Sequence, residues 1–258
     1  MMSLDKKIGI VLLFATALFF VVYIFNNETS DDEMVEEDFK VFPIEHASFS
    51  MKLGDVEILN DPVGKLELYE RYKNPDLILF GSDKVDHFNV ELLEEIVSNK
   101  TMIIAPAFVV DTLPEDLQKQ TVAMGSGDVH HVLGIEIKVI PAYELSELQS
   151  ENTGVASLGN GYLLTKDDFS VYIAGDTEDV PEMRTLEDID VAFIPMSLPD
   201  TMDVDVAADA VLDFSPVTVY PYHYLGQSGL SDVEEFTRLV KAANSDIEIV
   251  ELDWYLGL

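Results

Sequence analysis

At 258 residues, 48% of them hydrophobic, the chain can build one α/β domain with a sizeable core and has little left for a second. Its 49 acidic residues against 15 basic ones give a net charge of −34, which excludes nucleic acid as a partner, because such a surface repels phosphates and has no basic patch to displace their counter-ions. There is no cysteine, so no disulfide supports the fold and a metal would have to be held by His, Asp or Glu.

The ordinary meaning of the charge is a well-solvated surface, screened over about 8–10 Å; its alternative is recruitment of basic partners or divalent cations. The histidines available as ligands are His46, His87, His130, His131 and His223. Residues 8–25 run for 18 positions without a charge, enough for about 27 Å of helix, close to the hydrocarbon thickness of a bilayer. Lys6 and Lys7 precede this run, and Glu28, Asp31, Asp32, Glu33, Glu36, Glu37 and Asp38 follow it. That asymmetry predicts a single-pass membrane anchor with residues 1–7 in the cytoplasm and the domain outside. Secretion after signal cleavage is the alternative, although no small-x-small pattern follows Phe25. Residues 26–40 are polar and acidic and read as a solvated tether, so the folded domain is expected over 41–258. The sequons Asn27-Glu28-Thr29 and Asn99-Lys100-Thr101 are frequent chance matches.

Strands are predicted at 48–53 and 56–60 around Gly54-Asp55, the second delivering Asp61 to a loop edge. Asp76-Leu77-Ile78-Leu79-Phe80-Gly81 is an apolar strand running into the polar loop Ser82-Asp83-Lys84-Val85-Asp86-His87, after which Asn89 caps a helix over 90–98. A strand at 102–105, a short helix at 114–120 and a strand at 132–140 follow, with His130 and His131 in the polar connection before the last. Residues 147–153 are a candidate flap. A hairpin of 162–165 with 170–174 ends at Asp176. A strand at 191–194, an amphipathic helix at 204–214, a strand at 217–221, a helix at 233–243 and a closing strand at 247–252 complete the chain. Three strands thus end on Asp86-His87, Asp176 and His223, where a sheet can hold converging loop side chains still.

The phrases Glu45-His46-Ala47-Ser48-Phe49, Asn60-Asp61-Pro62, Ile140-Pro141-Ala142-Tyr143, Ala174-Gly175-Asp176-Thr177, Asp190-Val191-Ala192-Phe193-Ile194-Pro195 and Pro221-Tyr222-His223-Tyr224, in this order, resemble the metallo-β-lactamase superfamily. Within it, the chain is similar to metal-dependent hydrolases of the L-ascorbate-6-phosphate lactonase type, over roughly residues 41–258. The resemblance implies an α/β fold, a four-layer αββα sandwich. It also implies Asp86, His87 and His223 as ligands of one metal, Asp176 as a carboxylate bridging to another, and His46, Asp61, Glu144, Tyr222 and Tyr224 around them or in the substrate pocket.

The chain departs from the family where the loop should read His-x-His-x-Asp-His, because Ser82 and Lys84 hold the two leading positions. A serine hydroxyl is a poor ligand, and an ammonium has no lone pair. The first metal site is therefore expected to be abolished. The remaining set suits one divalent transition metal, zinc first and manganese or iron next; with no metal it would be a polar cluster. Glu144 is expected either to pair with Lys84 in the vacated site or to face solvent. The implied function is a membrane-anchored single-metal hydrolase of a small ester, lactone or phosphoester, with Asp86 and Lys84 as catalytic groups. The alternative is a catalytically silent member of the fold that serves as a binding or scaffolding module.

Overall fold

The computed structural model describes residues 39–143 and 159–255. The predicted anchor, nearly all of the tether, the flap at 147–153 and Glu144 lie outside the described residues. The first sheet follows chain order: β1 (Phe39–Glu45), β2 (Ser48–Leu53), β3 (Val56–Asn60), β4 (Leu77–Leu79), β5 (Met102–Ala105) and β6 (Thr121–Ala123). Its first three strands pair antiparallel, and β3 to β6 are parallel. The helices α1 (Val90–Ile96), α2 (Ala107–Val110) and α3 (Glu115–Gln118) lie in the connections.

The second sheet opens with antiparallel strands β7 (Val129–Val132), β8 (Ile135–Ala142), β9 (Gly159–Lys166) and β10 (Phe169–Ile173). It continues in parallel through β11 (Val191–Pro195) and β12 (Thr218–Tyr222). The helices α4 (Pro181–Arg184) and α5 (Val204–Phe214) make the crossovers. A small hairpin of β13 (Leu225–Gly226) and β14 (Gly229–Leu230), then α6 (Val233–Ala243), lead to β15 (Glu248–Ile249), which is parallel to β12.

The central strands are apolar on both faces because both faces are covered. Met51, Ile58, Leu77, Leu79 and Ile104 form one core with Ile137, Leu164, Val171, Ile173 and Phe193 of the other sheet. Successive residues of a strand point to opposite faces, so Leu59, Ile78, Phe80 and Ile103 instead pack with Leu92, Leu93 and Ile96 of α1. In the second sheet Tyr172, Ala192, Ile194 and Val219 pack likewise with Ala207 and Val211 of α5 and Phe236 and Val240 of α6. Helix, sheet, sheet, helix is the αββα order. Between the sheets Phe49 stacks on Phe193 with ring centroids 4.3 Å apart.

Several local expectations change. His130 and His131 belong to β7, paired with Ile137 and Glu136 of β8, because the chain turns at Leu133-Gly134 and not before the histidines. Gly134, with φ of 75°, supplies a conformation this turn requires. The helix predicted to reach residue 98 ends at Ile96, since Val97 is extended. The closing strand shrinks to the two residues of β15, and the described sheet begins at Phe39, ahead of the expected start.

Candidate metal centre

Parallel strands of one sheet end at the same edge. Asp61 follows β3, the 81–87 loop follows β4, and Asp176, Ser197 and His223 come just past β10, β11 and β12. His46 reaches this edge too, because Phe49 of β2 pairs with Asn60 at the end of β3. The sheets are tied here: Gly81 O accepts from Asn160 N at 2.9 Å and Phe80 O from Tyr162 O–H at 2.6 Å. A Cβ on Gly81 or Gly175 would stand 2.8 Å from Asn160 O, and Gly175 also has a φ of +72°. Glycine therefore lets both loops close on β9.

Three donor atoms converge. His87 Nε2 and His223 Nε2 are 3.0 Å apart, and Asp176 Oδ1 lies 3.0 Å from the first and 3.1 Å from the second. Asp176 Oδ1 is buried, with no partner in hydrogen-bond geometry. Two imidazole lone pairs and a carboxylate oxygen this close need positive charge between them, and donors so spaced can all reach one divalent ion at bond lengths of about 2.0–2.2 Å. Asp86 Oδ2 stands further out, 4.0 Å from both Nε2 atoms, on a side chain that is 45% exposed. The residues present thus fit a single ion, with Asp86 at its solvent side.

Both histidines are oriented from behind. Asp61 Oδ2 accepts from His87 Nδ1 at 2.9 Å, while Asp61 Oδ1 accepts from Gly81 N at 2.8 Å. Ser197 Oγ lies 2.6 Å from His223 Nδ1. A hydrogen on each Nδ1 leaves each Nε2 free to ligate, the arrangement that partners of metal-bound imidazoles impose. Asp61 and His223 hold φ of 40° and 48°, and Ser48 Oγ donates to Asp61 O at 2.5 Å, bracing a strained turn.

A beta-lactamase superfamily domain matches residues 41–223. The chain belongs to the metallo-β-lactamase superfamily, among its metal-dependent hydrolases. It is 33% identical to a UPF0173 metal-dependent hydrolase of Pyrococcus horikoshii, over 78% of this chain and 92% of the relative. It is 28% identical to one from Methanopyrus kandleri, over 81% of this chain and 94% of the relative. A crystal structure of a candidate metal-dependent hydrolase from Parabacteroides distasonis superposes with a TM-score of 0.71 at 32% identity, covering 84% of this chain and 94% of that one.

Against the metallo-β-lactamase pattern, the departure in the loop takes a definite form. Ser82 is buried and its Oγ accepts from the Lys84 backbone N–H at 3.2 Å. The Lys84 ammonium contacts Asp176 Oδ2 at 2.9 Å. Asp176 is thus divided, one oxygen toward the histidine pair and the other toward an ammonium, where a dinuclear relative would share it between two ions. The pairing of Lys84 with Glu144 lies outside the described residues.

Charge follows this layout. Burial works against ionised Asp176, but His87, His223 and Lys84 together hold it far below the usual carboxylate range. Burial also disfavours charge on His87, yet Asp176 and Asp61 outweigh it and keep its proton well above the usual range. His223 is pushed down to about 3, by burial first. Asp86 is held at about 2, chiefly by His46, whose Nε2 is 3.4 Å away.

Of the other expected residues, Tyr222 is buried below the centre and its Oη accepts from Gly175 N at 3.0 Å. Tyr224 packs edge-on to Tyr255 and has no described contact with the ligand atoms. Two residues were missed by sequence reasoning. Ser197 was findable, since it lies just past a strand parallel to the one that ends at His223. Tyr255, whose Oη is 2.9 Å from His46 Nδ1 across 209 positions, gave no local signal.

Proposed function

We propose that the protein is a single-metal hydrolase of an ester, lactone or phosphoester, in which Lys84 takes the place of the first ion. The observation that carries this reading is the division of Asp176 between the His87–His223 pair and the Lys84 ammonium. His87, His223, Asp176 and Asp86 would hold the ion, with zinc first and manganese or iron next. A bound divalent ion lowers the pKa of a water and polarises a carbonyl or phosphoryl oxygen. Lys84, fixed by Asp176 and 42% exposed, puts a positive charge beside the same opening, where it stabilises an oxyanion as it forms. Asp86, ionised and solvent-facing, accepts a hydrogen bond from the attacking water and orients it.

Purified protein should contain one transition-metal ion per chain, and His223→Ala should contain none and lose turnover of an activated ester or phosphodiester. Two ions per wild-type chain would overturn the single-metal reading, and undiminished turnover in His223→Ala would overturn the hydrolase. Ser82→His with Lys84→His should raise occupancy toward two. The relatives give no support to a silent scaffold.

We also propose that residues 8–25 anchor the domain, residues 26–40 tether it, and the amino terminus is cytoplasmic. The support is the uncharged run between Lys6-Lys7 and the acidic stretch. Among the described residues no helix is long and apolar enough to cross a membrane. Protease added to intact cells should release the domain; full protection would reverse the topology, and recovery of the domain in the medium without protease would favour signal cleavage.

A further inference from the structure

Tyr255 lies beyond the stretch matched by the family model, yet a chain of close polar contacts runs from it through His46 to the metal centre. Its Oη accepts the Leu225 backbone N–H at 3.0 Å and stands 2.9 Å from His46 Nδ1. The phenol oxygen can take the Leu225 N–H while its own hydrogen goes to Nδ1, the arrangement that places the His46 ring hydrogen on Nε2. That Nε2 is 3.4 Å from Asp86 Oδ2. The His46 ring also lies against His223, with centroids 3.9 Å apart.

His46 occupies the β1–β2 turn with a φ of 55°, where glycine or asparagine would cost less. A histidine at a strained position, with both ring nitrogens engaged, points to a use for its ring. His46, Asp86 and His223 converge within 4.8 Å, but they share His223 Nε2 with the first triad, and one lone pair serves one ion. A separate metal site is therefore not the use.

We propose that His46, set by Tyr255, is the positioning residue that holds Asp86 toward the ion, so that the carboxyl-terminal segment governs the affinity of the centre. This rests on the single-metal reading above. Asp86 is 45% exposed, so water competes for its oxygens; an N–H donor at Oδ2 opposes its turning away.

The test is Co²⁺ affinity of the full-length protein, measured by chelator competition, together with the visible spectrum of the Co²⁺-loaded form. Loss of a residue that supports a ligand typically costs 10–100-fold in metal affinity. His46→Ala should bind Co²⁺ about 10–100-fold more weakly with altered band intensity, and His46→Gln, which restores a donor, should recover most of the loss. Tyr255→Phe, which keeps the ring, should show a smaller loss in the same direction; this variant decides the matter if His46→Ala does not fold. Affinity within about 3-fold of wild type in His46→Ala or unchanged in Tyr255→Phe, or a Gln variant as weak as the Ala variant, would overturn the proposal. A folded wild type that binds no Co²⁺ would instead sink the single-metal reading, and this proposal with it.

Discussion

Asp61→Asn changes one buried atom and should damage both stability and metal binding. Asp61 is 1% exposed, and its carboxylate faces three donors: Gly81 N at 2.8 Å on Oδ1, with His87 Nδ1 at 2.9 Å and Asn60 Nδ2 at 3.2 Å on Oδ2. A carboxylate has an acceptor for each. An amide has one acceptor end, so either orientation sets its NH₂ against an N–H group that water cannot reach. If the amide oxygen stays on Gly81, the NH₂ meets His87 and favours the other tautomer, with hydrogen on Nε2 where the ion would bind. A buried donor left unmatched costs about 1–3 kcal/mol, and the misoriented ligand should weaken metal binding by about 10–100-fold. Chemical denaturation of the metal-free protein and chelator competition with Zn²⁺ measure the two effects. Unchanged affinity in the folded variant would refute the assignment of Asp61 as the residue that orients His87.

Metal binding should depend on pH through His87. Its charge is opposed by burial but kept by Asp176 and Asp61, well above the usual range, so an ion must displace a proton. Apparent affinity should rise by up to about tenfold per pH unit below that raised pKa and level off above it, and calorimetry in buffers of different ionisation enthalpy should find about one proton released per ion. In the metal-free protein, the stability carried by charged His87 should be complete below its unfolded pKa and be lost as pH rises through the folded one. Arg184 binds Asp179 at 2.6 Å and Asp209 at 2.8 Å and also contacts Asp213, clamping the segment after Asp176 to α5. Since Asp209 and Asp213 are largely solvated, Arg184→Ala should cost only about 1–2 kcal/mol, seen as a melting temperature lower by about 2–8 °C; no shift would show that the clamp carries no net stability.

The sequence alone determined the longer core strands and the helices after Asn89, Asp203 and Asp232, but not the strands β1, β6 and β7 or the short helices α2 and α4. Those features are local: an apolar run sets a strand, the polar residue after it marks the loop, and Asn89 before a helical pattern marks a cap, borne out by its acceptance of the Leu92 N–H at 3.0 Å. The candidate ligands Asp86, His87, Asp176 and His223 lie in loops that follow strands, and their role as a set was implied by the resemblance to the metallo-β-lactamase superfamily. Partnership could not be read, because it depends on closure of two sheets. Only the tertiary structure brought Lys84 to Asp176 across 92 positions and Tyr255 to His46 across 209. It also set His87 Nδ1 on Asp61 and His223 Nδ1 on Ser197. Which carboxylate oxygen meets an ammonium, and which imidazole nitrogen stays free, is fixed to within an ångström by strand register and by glycines that admit close backbone approach. No pattern of residue types along the chain encodes that distance.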